Sequence, residues 1–173
     1  MTAPLLAAHR IETPEAAAAA HSAGADLLEI DVHLRHGVLE VRHPRRHGPV
    51  LWDREGVRRA RGASATLGPL LAALPDGAEP MIDLKGGAPV LAREALASVR
   101  DAGVGRVTLT SRRWALLDGL AGEDGVRVAY SAAGRRRAAT VAASSRSDRT
   151  QAAAPSGASR RSRRATSRRP AAE

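Results

Sequence analysis

"LLEIDVHL", residues 27–34, sets Glu29, Asp31 and His33 at every second position, with Leu28, Ile30 and Val32 between them. Side chains alternate between the two faces of an extended strand, so the two acids and the histidine share one face. A strand inside a parallel sheet is covered on both faces and should read as continuously apolar. Carboxylates there are costly unless a cation or other partners meet them. The segment is therefore either an edge strand with a wet face or a strand that carries metal ligands. Leu27, Leu28 and Ile30 make the edge strand the less attractive reading. Carboxylate oxygens suit a hard divalent ion, Mg²⁺ or Ca²⁺, and His33 reads as a neighbour rather than a ligand.

Strand and helix signals alternate outward from this stretch. "PLLAA" (4–8) is a short apolar strand. A helix follows, with Thr13 as N-cap, Pro14 at its first position, Glu15 in its first turn and Gly24 as terminator. Beyond the strand at 26–34, "RHG" turns into an extended piece at 38–43. "TLGPLLAAL" (66–74) predicts a helix capped by Thr66, 80–86 a strand, 89–103 a helix ending at Gly103, and 106–110 a strand. Ser111 is expected to cap a helix running to about Leu120, before a last strand at 126–131. Single helices between strands imply βα units and a parallel sheet in an α/β domain over residues 1–130.

Composition changes sharply after Tyr130. Residues 1–130 carry 16 Lys+Arg against 16 Asp+Glu, so the whole net charge of +9 sits in residues 131–173, where 11 Arg face only Asp148 and Glu173. That stretch has one Val and no Leu, Ile, Met or aromatic. It cannot bury enough apolar surface to offset chain entropy, and it is expected to be a disordered tail. Three readings remain for it: an Arg-rich arm gripping nucleic acid, a solvated tail without a role, or the product of a frame-shifted or truncated C-terminus. The last is favoured, because the βα pattern stops abruptly. The tail lacks interleaved aromatics, so no specific nucleic-acid recognition is expected. The chain has no cysteine, which excludes disulfides, thiolate metal sites and a cysteine nucleophile. No signal peptide or membrane span is visible, and a cytoplasmic location is expected. Oligomeric state is not legible.

Three further groups carry chemistry. His9 and Arg10 follow the first strand, where βα loops gather at the C-terminal edge of a parallel sheet. An Arg there suits a phosphate oxygen and a His suits proton transfer; a surface His-Arg pair is the bland alternative. His43 closes the extended piece at 38–43 and offers a second imidazole, whereas His36 and His47 lie in polar surroundings and read as surface residues. In "MIDLKG" (81–86), Asp83 and Lys85, the only lysine, share one strand face. They are either a simple ion pair or a third metal ligand beside a phosphate-binding cation.

In this order, "HR" at 9–10, "GADLLEIDV" at 24–32, "RHP" at 42–44 and "IDLKG" at 82–86, the chain resembles the glycerophosphodiester phosphodiesterase family over roughly residues 5–130. Three positions depart from the family pattern. Ile11 stands in place of a glycine, so the loop after His9-Arg10 is expected to differ. Pro44 stands in place of an Asp. Asp83 replaces a Glu and would bring the metal closer to its strand. The sphingomyelinase-D-like phospholipases also use Asp there, but they rely on disulfides and rank lower.

The resemblance implies a TIM (β/α)₈-type barrel, a hydrolase cleaving a small glycerophosphodiester into glycerol 3-phosphate and an alcohol, and one Mg²⁺ or Ca²⁺. Glu29, Asp31 and Asp83 would hold the ion, His9 and His43 would act as acid and base, and Arg10 and Lys85 would bind the phosphate. A complete barrel of this type typically needs about 250 residues. Only five barrel-type strands can be counted, so the barrel is expected to be incomplete and its activity lost through truncation. The alternatives are a non-enzymatic βα domain with a nucleic-acid-binding arm, or another TIM-barrel hydrolase using the same carboxylates.

Overall fold

The structure is a computed structural model, and it describes residues 4–53, 56–60 and 64–131. The tail expected over 131–173 lies outside the described residues apart from Ser131. The first strand is β1, Ala7–Ala8, and it leads to helix α1, Pro14–Ser22. The Thr13 side chain caps α1 by accepting from the Ala16 N–H at 3.2 Å, with Pro14 in the first turn. Gly24, at φ 89°, reverses the chain after the helix, a conformation that needs no Cβ.

The quoted stretch forms β2, Leu27–Arg35, which hairpins through His36 and Gly37 into β3, Val38–Val41. A separate three-stranded antiparallel sheet follows: β4 (Arg45–His47), β5 (Val50–Asp53) and β6 (Gly56–Arg59). No strand signal is legible in this stretch of the sequence. Then come β7 (Ala65–Thr66), α2 (Leu67–Ala72), β8 (Glu79–Lys85), α3 (Leu91–Asp101), β9 (Val107–Ser111) and β10 (Val126–Tyr130). Thr66 precedes α2 as expected, but its side chain makes no capping hydrogen bond.

One expected helix is absent. Ser111 ends β9, with its hydroxyl donating to the Leu84 carbonyl and accepting from the Arg113 N–H. Only a single 3₁₀ turn, Trp114–Leu116, follows. Gly119, Gly122 and Gly125 all sit at positive φ, which breaks helical propagation through this stretch.

In the main sheet β1, β2, β8, β9 and β10 pair in parallel in that order, while β3 and β7 extend it antiparallel beside β2. These are the five barrel-type strands expected, and among the described residues the sheet does not close. Its outer face carries Leu28, Ile30, Val32, Ile82, Leu84 and Leu109, packed in one cluster with Ala17, Leu67, Leu71, Leu91, Ala95 and Val99 of the helices. The helices are thereby fixed to one face, and the acidic side chains of β2 and β8, with Lys85, are left on the other.

Candidate active site

Asp31 pairs with Asp83, and His33 with Lys85, in the parallel register of β2 and β8. Paired residues on adjacent strands point to the same face, so register alone sets Asp31, Asp83 and Lys85 side by side, with Glu29 one step back along β2. Each of the three acids offers a carboxylate oxygen, and these oxygens lie within 4.8 Å of one another. All three residues are buried, Asp31 to 1% exposure. Three like charges this close repel strongly in such a setting.

Lys85 supplies the nearest compensation. Its ammonium hydrogen-bonds to Asp83 and lies 2.8 Å from Asp31 Oδ1. The approach to Asp31 Oδ1 is an ion pair without hydrogen-bond alignment, which leaves that buried oxygen with a counter-charge but no directed donor. Burial alone would lower the Lys85 pKa, but its close contacts with Asp31 and Asp83 and their negative charges outweigh burial and hold it above the usual value. For Asp31 the balance runs the other way. Burial would raise its pKa, and Lys85 and His43 more than reverse this, keeping it below the usual carboxylate value.

Two imidazoles reach the acids from separate loops. His43 Nδ1 is 2.5 Å from Asp31 Oδ2, and His9 Nδ1 is 3.2 Å from Glu29 Oε2. An ionised carboxylate only accepts, so His43 donates through Nδ1 and its Nε2 is left as an acceptor, 3.3 Å from Arg10 Nη2. The loop bearing His9 and Arg10 is tied to β2 by its backbone: the Arg10 N–H donates to Glu29 Oε2 at 3.0 Å and the Ile11 N–H to the Glu29 carbonyl at 2.9 Å. Ile11 takes no positive φ. Arg10 carries it instead, at 60°, and the Ile11 side chain enters the core. The left-handed residue of this loop is therefore Arg10, and the branched Ile11 keeps an ordinary negative φ.

The structure therefore brings together all seven residues that the sequence singled out: His9, Arg10, Glu29, Asp31, His43, Asp83 and Lys85. Lys85 is held between two carboxylates rather than in the open position a phosphate contact would need. His36 and His47 are exposed, and His33 is not among the three clustered donors. His33 is partly buried, its Nε2 has no hydrogen-bond partner among the described residues, and its pKa falls to about 4 through burial and the nearby Arg42 charge.

Two supporting residues escaped the sequence reading. Glu12 accepts the His43 N–H at 3.0 Å, so the loop after β1 clamps the second histidine as well as presenting the first. Arg42 is buried, donates to Glu40 Oε2 at 2.8 Å and to the Pro44 carbonyl, and fixes the chain on both sides of His43. The signal for Glu12 was its place two residues after Arg10. For Arg42 there was none, because an arginine at a strand end reads as exposed.

The donor chemistry fits a hard divalent cation: three clustered oxygen ligands, with an ammonium already lodged between two of them where positive charge is required. At the other end of the same face, Glu79 takes a 2.8 Å hydrogen bond from Thr108 and pairs with Arg127 at 3.1 Å, a separate charge cluster apart from these ligands.

No family model matches the chain, and no curated protein matches it by sequence. Solved structures do. The glycerophosphoryl diester phosphodiesterase domain of an uncharacterised Mycobacterium tuberculosis protein superposes with a TM-score of 0.53 at 18% identity, over 74% of this chain and 60% of that one. A glycerophosphodiester phosphodiesterase from Thermotoga maritima superposes with a TM-score of 0.57 at 21% identity, over 87% of this chain and 72% of that one. The chain thus spans under two thirds of the length of the first and under three quarters of the second. At this identity the likeness concerns the backbone: the described chain has the mixed α/β, parallel-sheet fold of glycerophosphodiester phosphodiesterase domains.

Proposed function

We propose that this chain is a glycerophosphodiester phosphodiesterase-type hydrolase, cleaving a small phosphodiester to a phosphomonoester and an alcohol with the help of one Mg²⁺ or Ca²⁺. The observation that carries the reading is the convergence of Glu29, Asp31 and Asp83 within 4.8 Å, with His43 and His9 hydrogen-bonded to two of them. A phosphodiester resists attack because its anionic oxygens repel nucleophiles. When bound, the divalent ion would neutralise that charge and polarise the phosphorus–oxygen bonds. Glu29, Asp31 and Asp83 would hold it. Arg10, at the rim beside His43, would orient a non-bridging phosphate oxygen, while Lys85, lodged between Asp31 and Asp83, would balance the charge of the ligand carboxylates rather than touch the phosphate.

His43 is set up as the base. Asp31 holds the proton on its Nδ1, so Nε2 can take a proton from the attacking water as its oxygen bonds to phosphorus. His9, hydrogen-bonded to Glu29 through Nδ1, is the acid that returns a proton to the departing alkoxide as the ester P–O bond breaks. Each such transfer contributes about 10²–10⁴-fold to rate. The test is hydrolysis of glycerophosphocholine and of bis-p-nitrophenyl phosphate by the purified chain, with Mg²⁺, with Ca²⁺ and with EDTA. Metal-dependent release that is lost in Asp31→Asn and His43→Ala supports the reading. No release from either ester with either ion, or release unaffected by EDTA, overturns it.

A further inference from the structure

The small sheet β4–β6 begins two residues after His43. Its registers set two cross-strand rows on one face: Arg45–Trp52–Val57 and His47–Val50–Arg59. The opposite face carries Arg46, Leu51 and Arg58, with Asp53. Arg46 lies 3.8 Å from buried Glu40 of the main sheet, so that second face is turned toward the body of the domain and the first is turned away.

The outward face is unusual in two respects. Trp52 is 44% and Val57 76% exposed, side by side, although water disfavours both. Arg45 lies over the Trp52 ring at 5.1 Å, and Arg59 and His47 are exposed in the adjoining row. No carboxylate shares this face among the described residues, since Asp53 pairs with Arg58 on the other one.

We propose that this face docks on an anionic lipid bilayer. Trp favours the headgroup–acyl boundary, where its ring is apolar and its N–H stays wet. A neighbouring Val adds apolar area. Arg residues at the surface each gain about a tenfold or smaller factor from an anionic leaflet. A basic rim around an apolar centre, with no carboxylate on that face among the described residues, is complementary to such a surface, and a single Trp offers too little stacking for a nucleic-acid groove. The proposal concerns β4–β6 and stands apart from the phosphodiesterase reading. If both hold, docking would bring the His43 loop to the bilayer surface, and the substrate would be a phosphodiester presented by lipid.

The eleven arginines of residues 131–173 would also draw the chain to anionic vesicles, so sedimentation alone does not test the proposal. Trp52 fluorescence does. In the full chain carrying Trp114→Phe, Trp52 is the sole tryptophan. Vesicles of phosphatidylcholine with phosphatidylserine are expected to shift its emission to the blue, with quenching by acyl-brominated lipid. In an Arg45→Gln/Arg59→Gln background roughly tenfold more lipid should be needed for the same shift. Emission that stays water-like while the chain sediments with the vesicles would overturn the proposal. So would an equal shift on phosphatidylcholine alone, or a response to single-stranded oligonucleotide but not to vesicles.

Discussion

Lys85 does the work of a cation before any metal is considered. Its ammonium bridges Asp31 and Asp83, and removing it would leave three buried carboxylates without their nearest counter-charge. Lys85→Met is expected to destabilise the metal-free protein at neutral pH by on the order of 3 kcal/mol. Mg²⁺ or Ca²⁺ should restore more stability to it than to the unaltered chain. Denaturant melts with and without metal check this, and equal metal responses would sink it. His33 makes a second residue-scale prediction. Folding lowers its pKa from 6.5 to about 4, so between those values the unfolded chain binds a proton that the folded chain refuses. Its contribution is therefore full above pH 6.5 and lost as pH falls toward 4. Asp31, whose pKa is lowered from 3.8, loses its own contribution only below that value. In EDTA, the melting temperature should fall between pH 6.5 and 4, and His33→Gln should flatten that slope.

At the scale of elements, β2 is fixed by the contrast between its faces. Leu28, Ile30 and Val32 are wholly buried against the helices, and Ile30 is paired directly with Ile82. Ile30→Ala should cost about 2–5 kcal/mol through lost burial and a cavity, and Thr13→Ala about 1 kcal/mol through the lost cap of α1. Both are read from urea unfolding midpoints. Alternation and punctuation made β2, β8 and α1 legible, because each signal was local. The helix expected after Ser111 was not borne out, since three glycines at positive φ outweighed an apparent cap. The strands β4–β6 went unread because three to four residues rich in Arg carry little period of their own. Cross-strand pairing, which joins residues far apart in the chain, is what makes them strands.

Across the whole molecule, metal and fold should be coupled. An ion that binds only the folded site stabilises it by about 2.7 kcal/mol at a hundredfold excess over its dissociation constant. A rise in melting temperature with Mg²⁺ or Ca²⁺ is expected, and Glu29→Gln, Asp31→Asn or Asp83→Asn should each abolish most of it. A rise that persists in all three variants would exclude this site. The sequence by itself determined which side chains share a strand face, because the pleat repeats every two residues whatever surrounds it. It also determined that the five barrel-type strands pair in parallel, since crossovers through α1, α2 and α3 leave little else, though not that a 3₁₀ turn would replace the last helix. Only the tertiary structure decided that Asp31 stands beside Asp83, that Glu12 and Arg42 hold His43, and that Lys85 rests between two acids. Those depend on the register between β2 and β8 and on how two loops close over one sheet edge, and register is set by packing across strands rather than by any single segment.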